Sequence, residues 1–388
     1  MILQSLYAIG RREIENILSA PVQLFCMIVA PILSTLFFLS LMQDGLPTNL
    51  PTVVVDMDNT STTRTLIRQV DAFQQVSVIR TTADFFEARK ELQQGKAYAI
   101  FYIPKDFTSL ATSGKRPKLS FYTNTSILVP GSLLYRDLRT TAALAGASVG
   151  LQRGLAMGKT EAEVMAMLQP IVIDTHAIGN PWLSYSIYLN NTIVPGIIQL
   201  MIFLITTFSI GLEIKRGTAS EWLKMGNGSM MLSLAGKLLP HTIIFTLVGF
   251  LCSSLLYGYN AFPLESGWLP MLSAMFMLII ASQAMGILMI GVLPALRLGL
   301  SFASLFGMLS FSIVGFSFPV AAMYPSFHAL TNIFPLRHYF LIYVDQGLNG
   351  RELVYTWDQY IYLAAFLFLP FLVLRNLKSA LLSFHYIP

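Results

Sequence analysis

The sequence predicts an α-helical polytopic membrane protein with six transmembrane helices and a mixed α/β extracytoplasmic domain inserted between spans one and two. Three observations predict it. Apolar residues make up 54% of the 388 positions and charged residues only 12%, too oily a mixture for a soluble domain of this size. Most apolar residues gather in charge-free runs near the ~20 residues that cross a bilayer. Between the first and second runs lies a long stretch holding fourteen of the 25 Lys and Arg residues, with short β-rich and helical patterns instead.

The spans read from hydropathy are Val22 to Met42, Ile193 to Leu212, Leu238 to Tyr259, Trp268 to Leu296 and Leu298 to Phe318. A shorter sixth, Tyr360 to Leu374, needs Trp357, Tyr360 and Tyr362 as interface anchors. Residues 2–18 place Leu3, Leu6, Tyr7, Ile14, Ile17 and Leu18 at helical spacing, with Gln4, Arg11, Arg12 and Glu15 on other faces. This predicts an amphipathic helix in the inner membrane interface. The charges before span one and the lack of a small-residue cleavage site read as a retained anchor.

With the N-terminus inside, segments 1–21, 213–237, 294–299 and 375–388 hold nine Lys and Arg, and the outside loops after spans three and five hold Arg337 and Arg351. The positive-inside bias therefore puts both termini in the cytoplasm. The domains follow as 1–21, span one at 22–42, the external domain at 43–187 and spans two to six within 188–388. That last part includes a cytoplasmic loop at 213–237 and a re-entrant outer segment at 319–336. Both cysteines, Cys26 and Cys252, fall in spans, so the external domain cannot rely on disulfides.

Within the external domain, "PTVVVDMDNTSTTRTLIRQV" predicts a strand at Thr52 to Val55, a turn and a helix. A second strand and helix follow in "VSVIRTTADFFEARKELQQG", a third strand in "AYAIFYIPKDF" and a fourth in "KLSFYTN", with "QPIVIDTHAI" as a possible closing strand. Asp56, Asp58 and Asn59 are turn-formers rather than ligands on this reading. The stretch from Asp137 to Leu168 reads as a long helix with Gly146, Gly150, Gly154 and Gly158 at four-residue intervals. Such a row admits a close second helix, from the same domain or a dimer partner.

"GLAMGKT" resembles a phosphate-binding loop only superficially, because three residues instead of four separate its glycines and it follows a helical pattern. The chain therefore carries no ATPase. The five histidines, His176, His241, His328, His338 and His385, show no ligand-like spacing. No metal, nucleophile elbow or nucleic-acid stripe is legible. Ion-coupled carriage needs charge inside the membrane, and none of the first five charge-free runs supplies any.

Between spans two and three stands "GLEIKRGTASEWLKMGNGS". Thr218 followed by Glu221 predicts a capping box and a helix of about two turns. Gly226, Asn227 and Gly228 end it, and Ser229 can cap the next helix. Trp222, Leu223 and Met225 would give the short helix an exposed apolar side suited to receive a push from a cytoplasmic partner; the other reading is a solvated loop with Trp222 in the lipid interface. Glu213 reads either with this loop or as a simple interfacial carboxylate.

In order, Glu213, Gly217, Thr218, Glu221, Gly236, Lys237 and Pro240 resemble the cytoplasmic motif of permease subunits of ABC exporters of the ABC-2 class with a large external domain after the first span. The chain departs from that motif at Gly226 to Ser229. "VVVDMDNTSTTRTL", "GKAYAIFYIPKDF", "GNPWLSYSIYLNNTIVPGIIQLM" and "FSFPVAAMYPSFHALTNIFPLRHYFLIYVDQGLNG" are similar to further family segments in the right order.

The resemblance implies a bacterial inner-membrane exporter of drugs, lipids or lipid-linked glycans, built from two permeases, identical or related, and separate ATP-binding subunits carrying ATP and Mg. Those subunits would dock on the helix beginning at Thr218, with Glu213, Gly217, Glu221, Trp222 and Lys237, and on the interfacial helix with Arg11, Arg12 and Glu13. Pro319, Met323, Pro325 and Pro335 would shape an outer gate, or only an outer loop. The external domain would guide substrate or dock a periplasmic adaptor. A membrane-anchored receptor or scaffold and an ATP-independent carrier are the other function classes.

Overall fold

The computed structural model describes residues 2–383; His385 and the end of the 375–388 segment lie outside the described residues. Helix α1, Ile2–Ser19, buries Ile9, Gly10, Glu13 and Ile17. Ile9, Glu13 and Ile17 are spaced four apart and share a face. Ile2, Leu3, Tyr7, Ile14 and Leu18 stay exposed, the apolar edge expected of a helix lying in a membrane interface. The chain breaks at Ala20 and resumes with Pro21 in the first turn of α2, Pro21–Leu41.

Residues 46–176 form one of two compact units. Its sheet has strands β1, Leu50–Asp56; β2, Val76–Thr82; β3, Ala99–Ile103; and β4, Ser120–Thr123. Between them run α3, Ser61–Asp71, α4, Phe85–Gln93, and α5, Phe107–Thr112. The strand order is β2-β1-β3-β4, with β1 parallel to β2 and β3, and β4 antiparallel to β3. Period-two alternation sends Val54 and Phe101 to a core with Leu66, Val70, Leu134 and Leu138, and Val53, Val55 and Ile100 to the opposite face with Ala88.

Two expectations for this unit are corrected. The predicted single helix is a hairpin: α6, Leu128–Ala156, ends at a turn through Gly158 at φ +80°, and α7, Glu161–Leu168, folds back. Gly150 and Gly154 of the glycine row permit this, since a Cβ on either would lie 2.7 Å from Leu168 or 2.2 Å from Val164. "GLAMGKT" is the hairpin turn, and Thr160 and Glu163 close a capping box after it. The "QPIVIDTHAI" stretch forms no strand; Ile171, Val172, Ile173 and Ile178 are exposed irregular chain.

The other unit comprises residues 1–45 and 177–388. It continues with α8, Tyr185–Arg216; α9, Ala219–Met225; α10, Met230–Tyr259; α11, Trp268–Val292; and α12, Leu296–Ile313. After a 3-10 turn at Val320–Ala322 come α13, Pro325–Thr331, and α14, Pro335–Ile342. The last helix is α15, Trp357–Ser383. Among the described residues, six helices are long and apolar enough to cross a membrane: α2, α8, α10, α11, α12 and α15.

Hydropathy underestimates several of these helices. The sixth is longer than Tyr360 to Leu374 because the helix begins at Trp357 and continues past Arg375 and Lys378 to Ser383. Helices α8 and α10 extend into charged sequence, so Glu213 and Lys237 lie within helices and are buried. The apolar stretches of α8 and α11 are 67% and 72% buried, against 22% for α2 and α15. The first pair forms the centre of the bundle, and the second lies at its periphery with most of its apolar surface exposed.

Candidate functional site

Helix α1 crosses α10 where both carry glycine. A Cβ on Gly236 would stand 2.9 Å from Cβ of Ile9, and one on Gly10 would be 3.6 Å from the Gly236 carbonyl oxygen. This close approach brings the next turn of each helix into register. Lys237 and His241, four apart on α10, meet Glu13 from α1, and Glu213 arrives from the last turn of α8.

The result is a buried lock of charges. Lys237 Nζ donates to Glu13 Oε2 at 2.5 Å and to Glu213 Oε1 at 2.8 Å. Arg12 grips Glu213 with both terminal nitrogens, each at 2.9 Å, the planar fork geometry that favours arginine over lysine. Glu13 Oε1 also accepts from Ser209 at 2.9 Å and from His241 Nε2 at 2.8 Å; because a carboxylate only accepts, the hydrogen resides on Nε2. Two carboxylates thus face two permanent cations, with their remaining lone pairs hydrogen-bonded. A buried ion pair requires that completeness, since each desolvated charge is otherwise costly.

Glu13 titrates accordingly. Burial alone would raise its carboxyl, but the His241 hydrogen bond and the Lys237 charge outweigh burial and hold it at about 2 against an ordinary 4.5. Burial likewise works to lower the Arg12 guanidinium, and the hydrogen bonds and charge of Glu213 reverse this and raise it.

The lock fastens α9 to the bundle. Helix α8 ends at Gly217, whose φ of +70° suits glycine. The Thr218 hydroxyl then donates to Glu213 Oε2 at 2.5 Å. The predicted Thr218–Glu221 capping box does not form: Thr218 sits at φ −91° and ψ 2° instead of the extended N-cap backbone and its side chain caps no amide. The expectation of an exposed apolar side is also corrected. Trp222 and Leu223 are buried with Ile9, Ile214, Leu234 and Leu377. Trp222 Nε1 donates to the Ser233 carbonyl at 3.2 Å, and Lys237 Nζ sits 5.3 Å from its ring.

What α9 exposes is polar: Ser220, Glu221 and Lys224, with Lys215, Arg216 and Gly217 beside them. Asn227, at φ 53°, and Gly228, at φ +74°, turn the chain, and Ser229 caps α10 by accepting from Leu232 N. Ser5 accepts from Asn227, and Lys378 donates to Gly228 O, so α1 and α15 hold this turn. Arg11 stands apart from the lock, exposed and paired with Glu15.

The proline-rich segment lies elsewhere in this unit. Pro325 and Pro335 each occupy the first turn of a short helix, where a missing N–H costs nothing. Pro319 and Pro325 are exposed, Met323 is half-buried and Pro335 is buried. The α14 start is pinned by Gln199, wholly buried on α8, whose Oε1 accepts from Leu336 N at 2.8 Å and whose Nε2 donates to Ser310 at 3.3 Å. In the other unit, Asp56 accepts from the amides of Asp58 and Asn59 and from the Thr63 hydroxyl. Burial of Asp58 would raise its carboxyl, but hydrogen bonds from Thr108 lower it.

Sequence reasoning grouped Glu213 with Lys237 and, apart from them, Arg12 with Glu13, and missed that the two groups meet. It also missed His241, Ser209 and Gln199 as partners. A signal was present: Glu13 interrupts the Ile9 and Ile17 stripe, placing a carboxylate on an apolar face.

Comparison with curated proteins finds no match. The family model described as ABC-2 family transporter protein matches residues 21–374, nearly the whole chain, and the chain belongs to the ABC-2 family of transporter proteins.

Proposed function

We propose that this chain is the membrane-spanning subunit of an ATP-driven ABC exporter that moves a hydrophobic or amphipathic molecule, such as a drug, lipid or lipid-linked glycan, out of the cytoplasm or inner leaflet. The family implies an ATP-binding partner subunit, which would carry the ATP and Mg. The observation that carries the reading is the charge lock. Force applied to α9 reaches Glu213 through Thr218 and α10 through Trp222, and Glu213, Lys237, Arg12 and Glu13 join α8, α10 and α1. Three helices then move as one.

The partner would meet a polar surface, Ser220, Glu221 and Lys224, and the exposed edge of α1 near Arg11. This reading puts the lock and both termini on the cytoplasmic side of a bacterial inner membrane. It puts the unit 46–176 outside, and it makes Pro319, Met323, Pro325 and Pro335 the outer gate. An exposed apolar strip on α12, including Leu298, Leu305 and Leu309, suits a second permease copy or paralogue across the pathway. A periplasmic adaptor would join through the external unit.

The test is copurification of the intact protein from its native membrane. The reading expects a stoichiometric P-loop ATPase whose hydrolysis is stimulated by lipids or drugs. A chain that purifies repeatedly without one, and binds an envelope protein through unit 46–176 instead, is a receptor or scaffold.

A further inference from the structure

The unit 46–176 contains a cleft of about 610 Å³ between α5, the 114–117 loop, β4 and α6, within the size range of cavities that hold small ligands. Its floor is apolar: Phe107, Leu119, Phe121 and Val149 line it. Its polar groups are cations. Lys115, Arg116 and Arg153 border it, and no Asp or Glu does.

These cations are not neutralised within the unit. Its ion pairs join Arg80 to Glu87 and Glu91, Arg136 to Asp137 and Asp174 to His176, and involve none of the three. Like charges gathered beside a low-dielectric wall repel one another, and an anion among them relieves this. The arrangement is also built in. Gly114 has φ +87°, and a Cβ there would stand 2.4 Å from Arg153 Nη2, so the bare turn is what lets the guanidinium lie over the loop. On the α6 wall, a Cβ at Gly146 would meet nothing within 4 Å, leaving open space where a side chain would otherwise stand.

We propose that this cleft binds a single-chain anionic amphiphile, a long-chain carboxylate, with the hydrocarbon on the Phe107–Phe121–Val149 floor and the carboxylate among Lys115, Arg116 and Arg153. A polyanion such as nucleic acid would satisfy the cations and leave the apolar floor in water. An uncharged hydrocarbon would do the reverse. An amphiphile covers both, and the guanidinium fork matches a carboxylate.

The experiment photolabels the full chain, in nanodiscs of phosphatidylcholine, with a diazirine-bearing hexadecanoate and maps the adducts by peptide mass spectrometry. The expected label falls within 107–121 and 142–153. Unlabelled hexadecanoate displaces it, and hexadecanol and hexadecyltrimethylammonium do not. Combined Lys115→Glu and Arg116→Glu substitution, on an exposed loop, lowers labelling about tenfold or more, as loss of charge-assisted bonds predicts. Gly146→Leu, whose Cβ enters open space on the cleft wall, abolishes it while circular dichroism stays unchanged. Label confined to the membrane-spanning helices, displacement by all three chains alike, displacement by hexadecyl phosphate but not by hexadecanoate, or full labelling of Gly146→Leu would each overturn the proposal.

Discussion

Lys237→Met removes the one cation shared by both carboxylates of the lock. Methionine keeps most of the aliphatic stem, so the change is mainly electrostatic. Lys237 Nζ makes its bonds at 2.5 and 2.8 Å to Glu13 and Glu213 and is 2% exposed. Glu213 keeps the Arg12 fork and Thr218; Glu13 keeps only uncharged partners or His241. Removing one partner from a buried pair costs about 3–5 kcal/mol, and that loss should appear as a fall of several degrees in the melting temperature of purified protein. Because Glu13 is the residue left exposed to the deficit, α1 should loosen first, seen as faster amide exchange over residues 2–19 than over α11. The double variant Glu13→Gln with Lys237→Met should recover much of the loss, because it removes the stranded charge with its partner. A single variant that melts within about 1 kcal/mol of wild type, or a double variant no better than the single, would refute the reasoning.

The helix crossing makes an independent prediction: Gly236→Leu forces a side chain against Ile9, and overpacking should cost about 1–3 kcal/mol and detach α1 in the same exchange assay. Acid should weaken the lock in a defined window. The Glu13 carboxyl sits below its unfolded value, so its contribution is complete above pH 4.5 and is lost as pH falls toward about 2; the loss is on the order of a few kcal/mol, and Glu13→Gln should flatten that part of the stability-against-pH curve. Gln199→Leu strands the Leu336 amide and should cost about 1–3 kcal/mol, with amide exchange rising in α14 and unchanged in α1.

Much of the architecture is legible because a bilayer constrains composition so strongly. Charge-free runs located the six candidate membrane helices, and the β-rich run from Thr52 to Val55 located the central strand. Helix ends were less legible, since hydropathy stops at the first charge while the backbone does not; Glu213 and Lys237 were cut from helices that bury them. The "QPIVIDTHAI" stretch has strand composition and no strand partner, which is how β-propensity fails when it is really a preference for packed neighbours. At the candidate site, capping chemistry assigned Thr218 to Glu221 because they are close in sequence. The structure instead turns the Thr218 hydroxyl to donate to Glu213. The lock itself joins residues 12, 13, 213, 237 and 241, and no local pattern reports contacts across such separations.

On the proposed function, force enters at α9 and crosses the lock. The most direct test is Glu221→Lys, which reverses an exposed charge on α9 and leaves the buried lock intact, assayed for ATP-driven transport in proteoliposomes with the copurified ATP-binding subunit. The expected result is an unaltered melting temperature with the ATPase lost from the complex or its hydrolysis uncoupled from transport. Full binding, full hydrolysis and full transport by the variant would contradict it.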